Sequence, residues 1–176
     1  MKTVTVKITG KSPLSFSKPV LNKSKIIKNF LLIVRRIRWK ENLHYDVNGI
    51  IFIPSTMIKS AFIDAIRCFG KQNLKRKLKY FETDILVPES MSLMIHKNSV
   101  DIKKDQISFN NGNIRYFPKI EEWSGTVKFL ILNEIITRDV FKKCLKDTGD
   151  IVGVGRFRPK MNGYYGRFDA EILSWK

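Results

Sequence analysis

Ile50-Ile51-Phe52-Ile53-Pro54-Ser55-Thr56-Met57-Ile58-Lys59-Ser60-Ala61-Phe62-Ile63-Asp64-Ala65-Ile66-Arg67-Cys68-Phe69-Gly70 changes its hydrophobic period part-way along. Four apolar residues run up to Pro54, whose ring removes the backbone donor that a central strand needs. Ser55 is a favoured helix cap, and Met57, Ile58, Ala61, Phe62, Ala65, Ile66 and Phe69 then recur at helical spacing until Gly70. The stretch reads as a short strand that ends at Pro54, then an amphipathic helix. Its apolar stripe belongs in a core, and Lys59, Ser60 and Arg67 face elsewhere.

Working outward, residues 2–9 alternate Val4, Val6 and Ile8 with Thr3, Thr5 and Lys7, the period of a half-buried strand. Gly10 to Ser24 reads as a loop, and Ser24 to Trp39 fits either a basic helix capped by Ser24 or β-branched strands. Downstream, residues 84–117 read as β structure, with polar turns around Asp101–Asp105 and at Asn110-Asn111-Gly112. Gly125–Leu132 is an apolar strand. Thr137 caps a second helix that bears Val140, Phe141, Cys144 and Leu145 and closes at Gly149, and a last strand runs from about Tyr165 to Trp175.

With insertions set aside, the order is strand, helix, strand, strand, helix, strand. That is the α+β, ferredoxin-like or RRM-like βαββαβ arrangement: an antiparallel sheet with two helices on one face. No linker divides the chain, so residues 1–176 are expected to form one domain, with insertions near 10–50 and 81–120.

At 176 residues, 43% hydrophobic and 11% aromatic, the chain can build a core. Its 33 Lys and Arg against 16 Asp and Glu leave a formal charge of +17, unevenly spread. The first acidic residue is Glu41, after eleven Lys or Arg, and a second basic run holds Lys71, Lys75, Arg76, Lys77 and Lys79. Such a field favours nucleic acid or an anionic membrane. Against the membrane, no apolar run approaches the ~18 residues of a spanning helix, and Phe30–Val34 leads straight into Arg35. The N-terminus lacks a signal peptide's apolar core. Cys68 and Cys144 fall on the apolar faces of the two helices without metal spacing, which suggests buried thiols in a reducing cytoplasm.

One loop is built for an anion. Gly153-Val154-Gly155-Arg156-Phe157-Arg158-Pro159 is followed by Gly163-Tyr164-Tyr165-Gly166-Arg167. Glycines allow positive φ and close approach, exposed N–H groups in such a loop form a nest, and arginine grips phosphate bidentately. Candidate phosphate contacts are Gly153, Gly155, Arg156, Arg158, Gly163, Gly166 and Arg167, with Ser55, Lys59 and Arg67 on the helix and Lys23, Lys25, Arg35, Arg36 and Arg38 upstream. Trp39, Phe157 and Tyr164 are candidates for base stacking. No paired carboxylates at metal spacing, HExxH or Walker sequence occurs, so neither a metal nor another cofactor is expected.

Four segments, in order, resemble the CRISPR-associated RAMP superfamily. Ile53 to Phe62, continuing to Arg67, resembles its "I-P-G-S-S-L-K-G-A-L-R" helix start, with Ser55 and Ser60 where glycines are usual. Ile8-Thr9-Gly10-Lys11-Ser12-Pro13-Leu14 resembles its first strand and loop, Gly125-Thr126-Val127-Lys128-Phe129 its "G-T-x-F" strand, and the glycine loop its "G-x-G-x-x-x-x-G-x-G" signature. The match is nearest the backbone subunits, the Cas seven family.

The resemblance implies a subunit that holds single-stranded guide RNA by its phosphates and forms a homo-oligomer along it, beside other effector subunits and a target nucleic acid. Similar solitary proteins occur in phage genomes, so a phage-encoded binder or inhibitor that mimics a backbone subunit is an alternative. Another is a metal-independent, guide-processing ribonuclease, since a branch of the superfamily uses a histidine base near the first helix, where His44 lies. Target-cleaving relatives place an aspartate after the first strand. Here residues 10–40 hold no acid, and Asp46 and Asp64 are poor replacements, Asp64 being placed to offset Arg67 or Lys59. The reading is of a binder that does not cut.

Overall fold

Alternation of Val4, Val6 and Ile8 with polar neighbours produces the strand it predicts, β1 (Lys2–Gly10). The structure is a computed structural model and describes residues 1–17, 39–69, 72, 76, 78–100, 107–110 and 113–176. After β1 come β2 (Leu14–Ser15), a 3-10 turn (Trp39–Asn42), β3 (Ile50–Ile53), α1 (Ser55–Phe69), α2 (Leu78–Asp84), β4 (Ile85–Leu86) and β5 (Met91–His96). The chain continues through β6 (Ile107–Asn110), β7 (Asn113–Tyr116), β8 (Lys119–Ile120) and β9 (Ser124–Ile131). It ends with α3 (Arg138–Asp147), a π-helical turn (Thr148–Val152), a 3-10 turn (Pro159–Met161) and β10 (Phe168–Trp175).

Strands β10, β1, β9 and β4 form an antiparallel sheet in that order. Helix α1 carries the chain from β1 to β4 across β9, and α3 carries it from β9 to β10 across β1. This is the ferredoxin-like order, as the sequence predicts. Val6 lies opposite Val127 and Ile172, and Ile8 opposite Gly125 and Ala170, so the apolar set shares one face. Against that face pack the two helices. The ring of Phe62 on α1 lies 6.1 Å from Phe129 on β9 and 5.3 Å from Phe141 on α3, which in turn lies 5.6 Å from Trp175 on β10.

Several boundaries differ from the sequence reading. Ser55 does not cap α1. The Pro54 carbonyl accepts from the Met57 and Ile58 N–H groups at 3.0 and 3.3 Å, so Pro54 holds the cap position and Ser55 is the first helical residue. Thr137 does cap α3, its hydroxyl accepting from the Val140 N–H. Gly149, however, does not close it. The chain continues through the π turn to Gly153, whose φ of +69° suits glycine and whose N–H donates to the Thr148 carbonyl at 2.7 Å.

Of the β structure expected over 84–117, among the described residues only Ile85 and Leu86 join the main sheet, opposite Ile131 and Leu130. Pro88 follows within two residues and cannot extend a ladder. The rest forms small pairs: β3 with β5, β2 with β8, and the hairpin β6–β7 with Asn110 opposite Asn113. The predicted stretch Ser24 to Arg38, Gly70, Lys71, Lys75, Lys77 and the turn at Asp101–Asp105 lie outside the described residues.

Candidate nucleic-acid interface

The glycine loop is sewn onto the segment that follows β1. Gly166 N–H donates to the Pro13 carbonyl at 2.8 Å, and Arg156 N–H donates to the Ser15 carbonyl at 2.7 Å. Arg167 N–H donates to Ser12 Oγ at 2.9 Å, and that hydroxyl donates to the Tyr164 carbonyl at 2.9 Å. Within the loop, Val154 N–H donates to the Gly166 carbonyl and Tyr165 N–H to the Phe157 carbonyl, both at 2.9 Å. The last of these bonds keeps Tyr165 in the loop, so β10 starts at Phe168 rather than Tyr165. The nest expected of the glycines is therefore not built from these groups: the N–H groups of Val154, Arg156, Tyr165, Gly166 and Arg167 are spent on the fold. What the glycines do is let two backbones approach. A Cβ on Gly166, at φ +71°, would collide with the Val154 carbonyl, and one on Gly155 would press on Ser15.

With the backbone committed, the side chains carry the chemistry. Arg158 turns inward: its Nη2 lies 3.3 Å from Asp64 Oδ2, and Lys160 Nζ lies 2.6 Å from Asp64 Oδ1. Asp64, buried on α1, thus anchors the loop instead of offsetting Arg67 or Lys59. Arg67 pairs with Glu82 of α2. The Arg156 guanidinium lies 3.4 Å from the ring centre of Phe117 and 4.4 Å from that of Phe157. Phe157 is 39% exposed and held at φ +54°, a conformation that bulky residues adopt at a cost. Tyr164 is 60% exposed.

Lys11 bridges the first-strand loop to the π turn and to β10, its Nζ 3.1 Å from Asp150 and 3.2 Å from Asp169. Burial pushes the Asp150 carboxyl up, but hydrogen bonding and charge from Lys11, with help from Lys146, hold it below the usual carboxylate range. A carboxylate with a lowered native pKa adds stability above its unfolded pKa near 3.8, and loses that stability as pH falls through the native value. The stability difference between wild type and Lys11→Met should therefore be full near pH 6 and shrink below about pH 4 in urea titrations. A difference that stays constant to pH 2 would show that this bridge does not titrate.

The other predicted contacts are scattered. Ser55 begins α1, about 13 Å along the helix axis from Asp64, and Lys59 lies about 7 Å from it by the same rise. Trp39 opens the 3-10 turn, while Lys23, Lys25, Arg35, Arg36 and Arg38 lie outside the described residues. The His44 ring packs 5.6 Å from Phe16 and 6.0 Å from Phe52. His96 caps a 3-10 turn, its Nδ1 accepting from the Asn98 N–H at 3.2 Å. Cys144 is buried as expected, but Cys68 is exposed. The sequence reading missed Asp64, Lys160 and Phe117 as parts of this site. A signal for Asp64 was present, since a lone carboxylate on an apolar helix stripe needs a partner.

An RRM stacks bases on aromatic residues of its open sheet face. Here the corresponding positions carry Lys7, Thr9, Thr126, Lys128, Asp169 and Glu171, all exposed, with no aromatic among them. Among the described residues no helix is long and apolar enough to cross a membrane.

No family model matches the sequence, and no curated protein matches it. The structure is similar to a chain of the Type III-B Cmr-beta solved by cryo-EM bound to cognate target RNA, with a TM-score of 0.54 and 14% identity over 99% of this chain. That likeness shows a shared fold. The present chain spans 60% of that chain's length.

Proposed function

We propose that this protein binds single-stranded RNA as a subunit of a cytoplasmic, CRISPR-type ribonucleoprotein, nearest the Cas seven backbone subunits, and that copies repeat along a guide RNA. The observation that carries the reading is the fold over nearly the whole chain, shared with a chain of a complex bound to target RNA. A net charge of +17 and the arginine-bearing glycine loop support it. Arg156 and Arg167 are the proposed phosphate contacts, with Arg158 assigned to holding the loop. Phe157 and Tyr164 are the proposed stacking surfaces. The proposal is of a binder, with His44 packed against Phe16 and Phe52.

Salt dependence tests this. For single strands the binding slope changes by roughly 0.7 per neutralised phosphate, so Arg156→Ala with Arg167→Ala should flatten it by about 1 to 1.5. On longer strands the wild-type titration should add further copies per strand. An unchanged slope in the double variant would remove these arginines from the interface. One protein per strand at every RNA length would contradict repetition.

A further inference from the structure

The glycine loop has a second flank. Between its Pro159–Arg167 limb, the end of α1 and the π turn lies an open cleft of about 580 Å3, whose walls include Cys68, Asp150, Ile151, Lys160, Tyr164 and Arg167. Pockets of this size hold small organic ligands. Arg167 lines the cleft while its Nε is enclosed without an acceptor among the described residues. The planar guanidinium of a residue in this wall is suited to grip an oxyanion in the cleft bidentately.

The surrounding charge agrees. Asp150 in the wall is neutralised by Lys11 at 3.1 Å and Lys146 at 3.5 Å, and Asp64 by Lys160 and Arg158. Around the cleft, Lys11, Lys146, Arg158, Lys160 and Arg167 therefore stand against Asp64, Asp150 and Asp169, five cations to three carboxylates. The exposed ring of Tyr164 at the same cleft gives an aromatic surface beside this excess of positive charge.

We propose that this cleft is a nucleotide pocket, in which the Arg167 guanidinium and Lys160 hold one phosphate of the bound strand and the adjoining base stacks on Tyr164. The assignment rests on the RNA-binding reading above and adds to it a specific place where one nucleotide is taken in.

Cys68 reports on the cleft directly. The chain has two cysteines, and Cys144 is buried, its thiol pushed up to about 12 chiefly by that burial. A disulfide reagent added to the native protein therefore reads Cys68, and the second thiol appears only in denaturant. A saturating oligouridylate of roughly ten nucleotides should slow Cys68 labelling about tenfold. Tyr164→Ala, an exposed position, should weaken binding about tenfold, and Arg167→Gln should do the same with most of the protection lost. One reactive thiol before denaturant and two after it show that each variant is folded. If RNA binds and Cys68 labels at an unchanged rate, the cleft is not the pocket and the RNA reading stands. If no RNA binds, both are overturned.

Discussion

Gly166→Ala should lower the unfolding free energy by about 2–5 kcal/mol and abolish RNA binding with it. Two costs combine. At φ +71° an L-residue pays the left-handed penalty of about 1–2 kcal/mol. Its Cβ would also collide with the Val154 carbonyl, a backbone atom that cannot rotate away, and overpacking of this kind costs about 1–3 kcal/mol. The same residue is the seam of the site: its N–H reaches Pro13 and its carbonyl accepts from Val154. Separating the strands there lets the Arg156 and Arg167 limbs drift from the loop after β1. Urea denaturation gives the stability, and a mobility shift on single-stranded RNA gives the binding. A Gly166→Ala protein within about 0.5 kcal/mol of wild type would mean that the two backbones are not in contact.

Asp64→Ala should cost about 2–4 kcal/mol, less than the 3–5 typical of a fully buried pair because Lys160 is a third exposed and can turn to water. It removes the one carboxylate that faces two cations of the loop, leaving Arg158 partly buried without its partner. Arg158→Ala should cost less, since Asp64 keeps Lys160 at 2.6 Å. The ordering is the informative part. If Arg158 instead contacted RNA, its loss would leave stability alone and flatten the salt dependence of binding. Measured by urea denaturation, equal and negligible losses for both variants would show that the helix and the loop are not joined through this cluster.

The core of the fold was legible because its elements carry strong periods. Val4, Val6 and Ile8 alternate, and Ile58, Ala61, Phe62, Ala65 and Ile66 keep helical spacing, so β1 and α1 follow from local pattern. The order of elements then leaves few ways to close an antiparallel sheet. Boundaries set by long-range contact were not legible. The start of β10 depends on a hydrogen bond from Tyr165 to Phe157, and the shortness of β4 on where the chain turns away after Leu86. The site divides in the same way. The composition of the glycine loop marked it as special, but Gly153, Gly163 and Gly166 serve close packing within the loop and Gly155 serves its approach to Ser15, more than a hundred positions away in sequence. Arg156, Arg158 and Arg167 look equivalent in the sequence. Burial separates them: one stacks on Phe117, one pairs with Asp64, and one lines a cleft.

Purification of the whole chain after expression with nuclease omitted tests the central claim most directly. An RNA-binding subunit of this charge should elute with nucleic acid that resists moderate salt, is degraded by ribonuclease and not by deoxyribonuclease, and yields RNA sequences on recovery. Protein that elutes free of nucleic acid, and binds no single-stranded RNA when it is added back at low salt, would contradict the account.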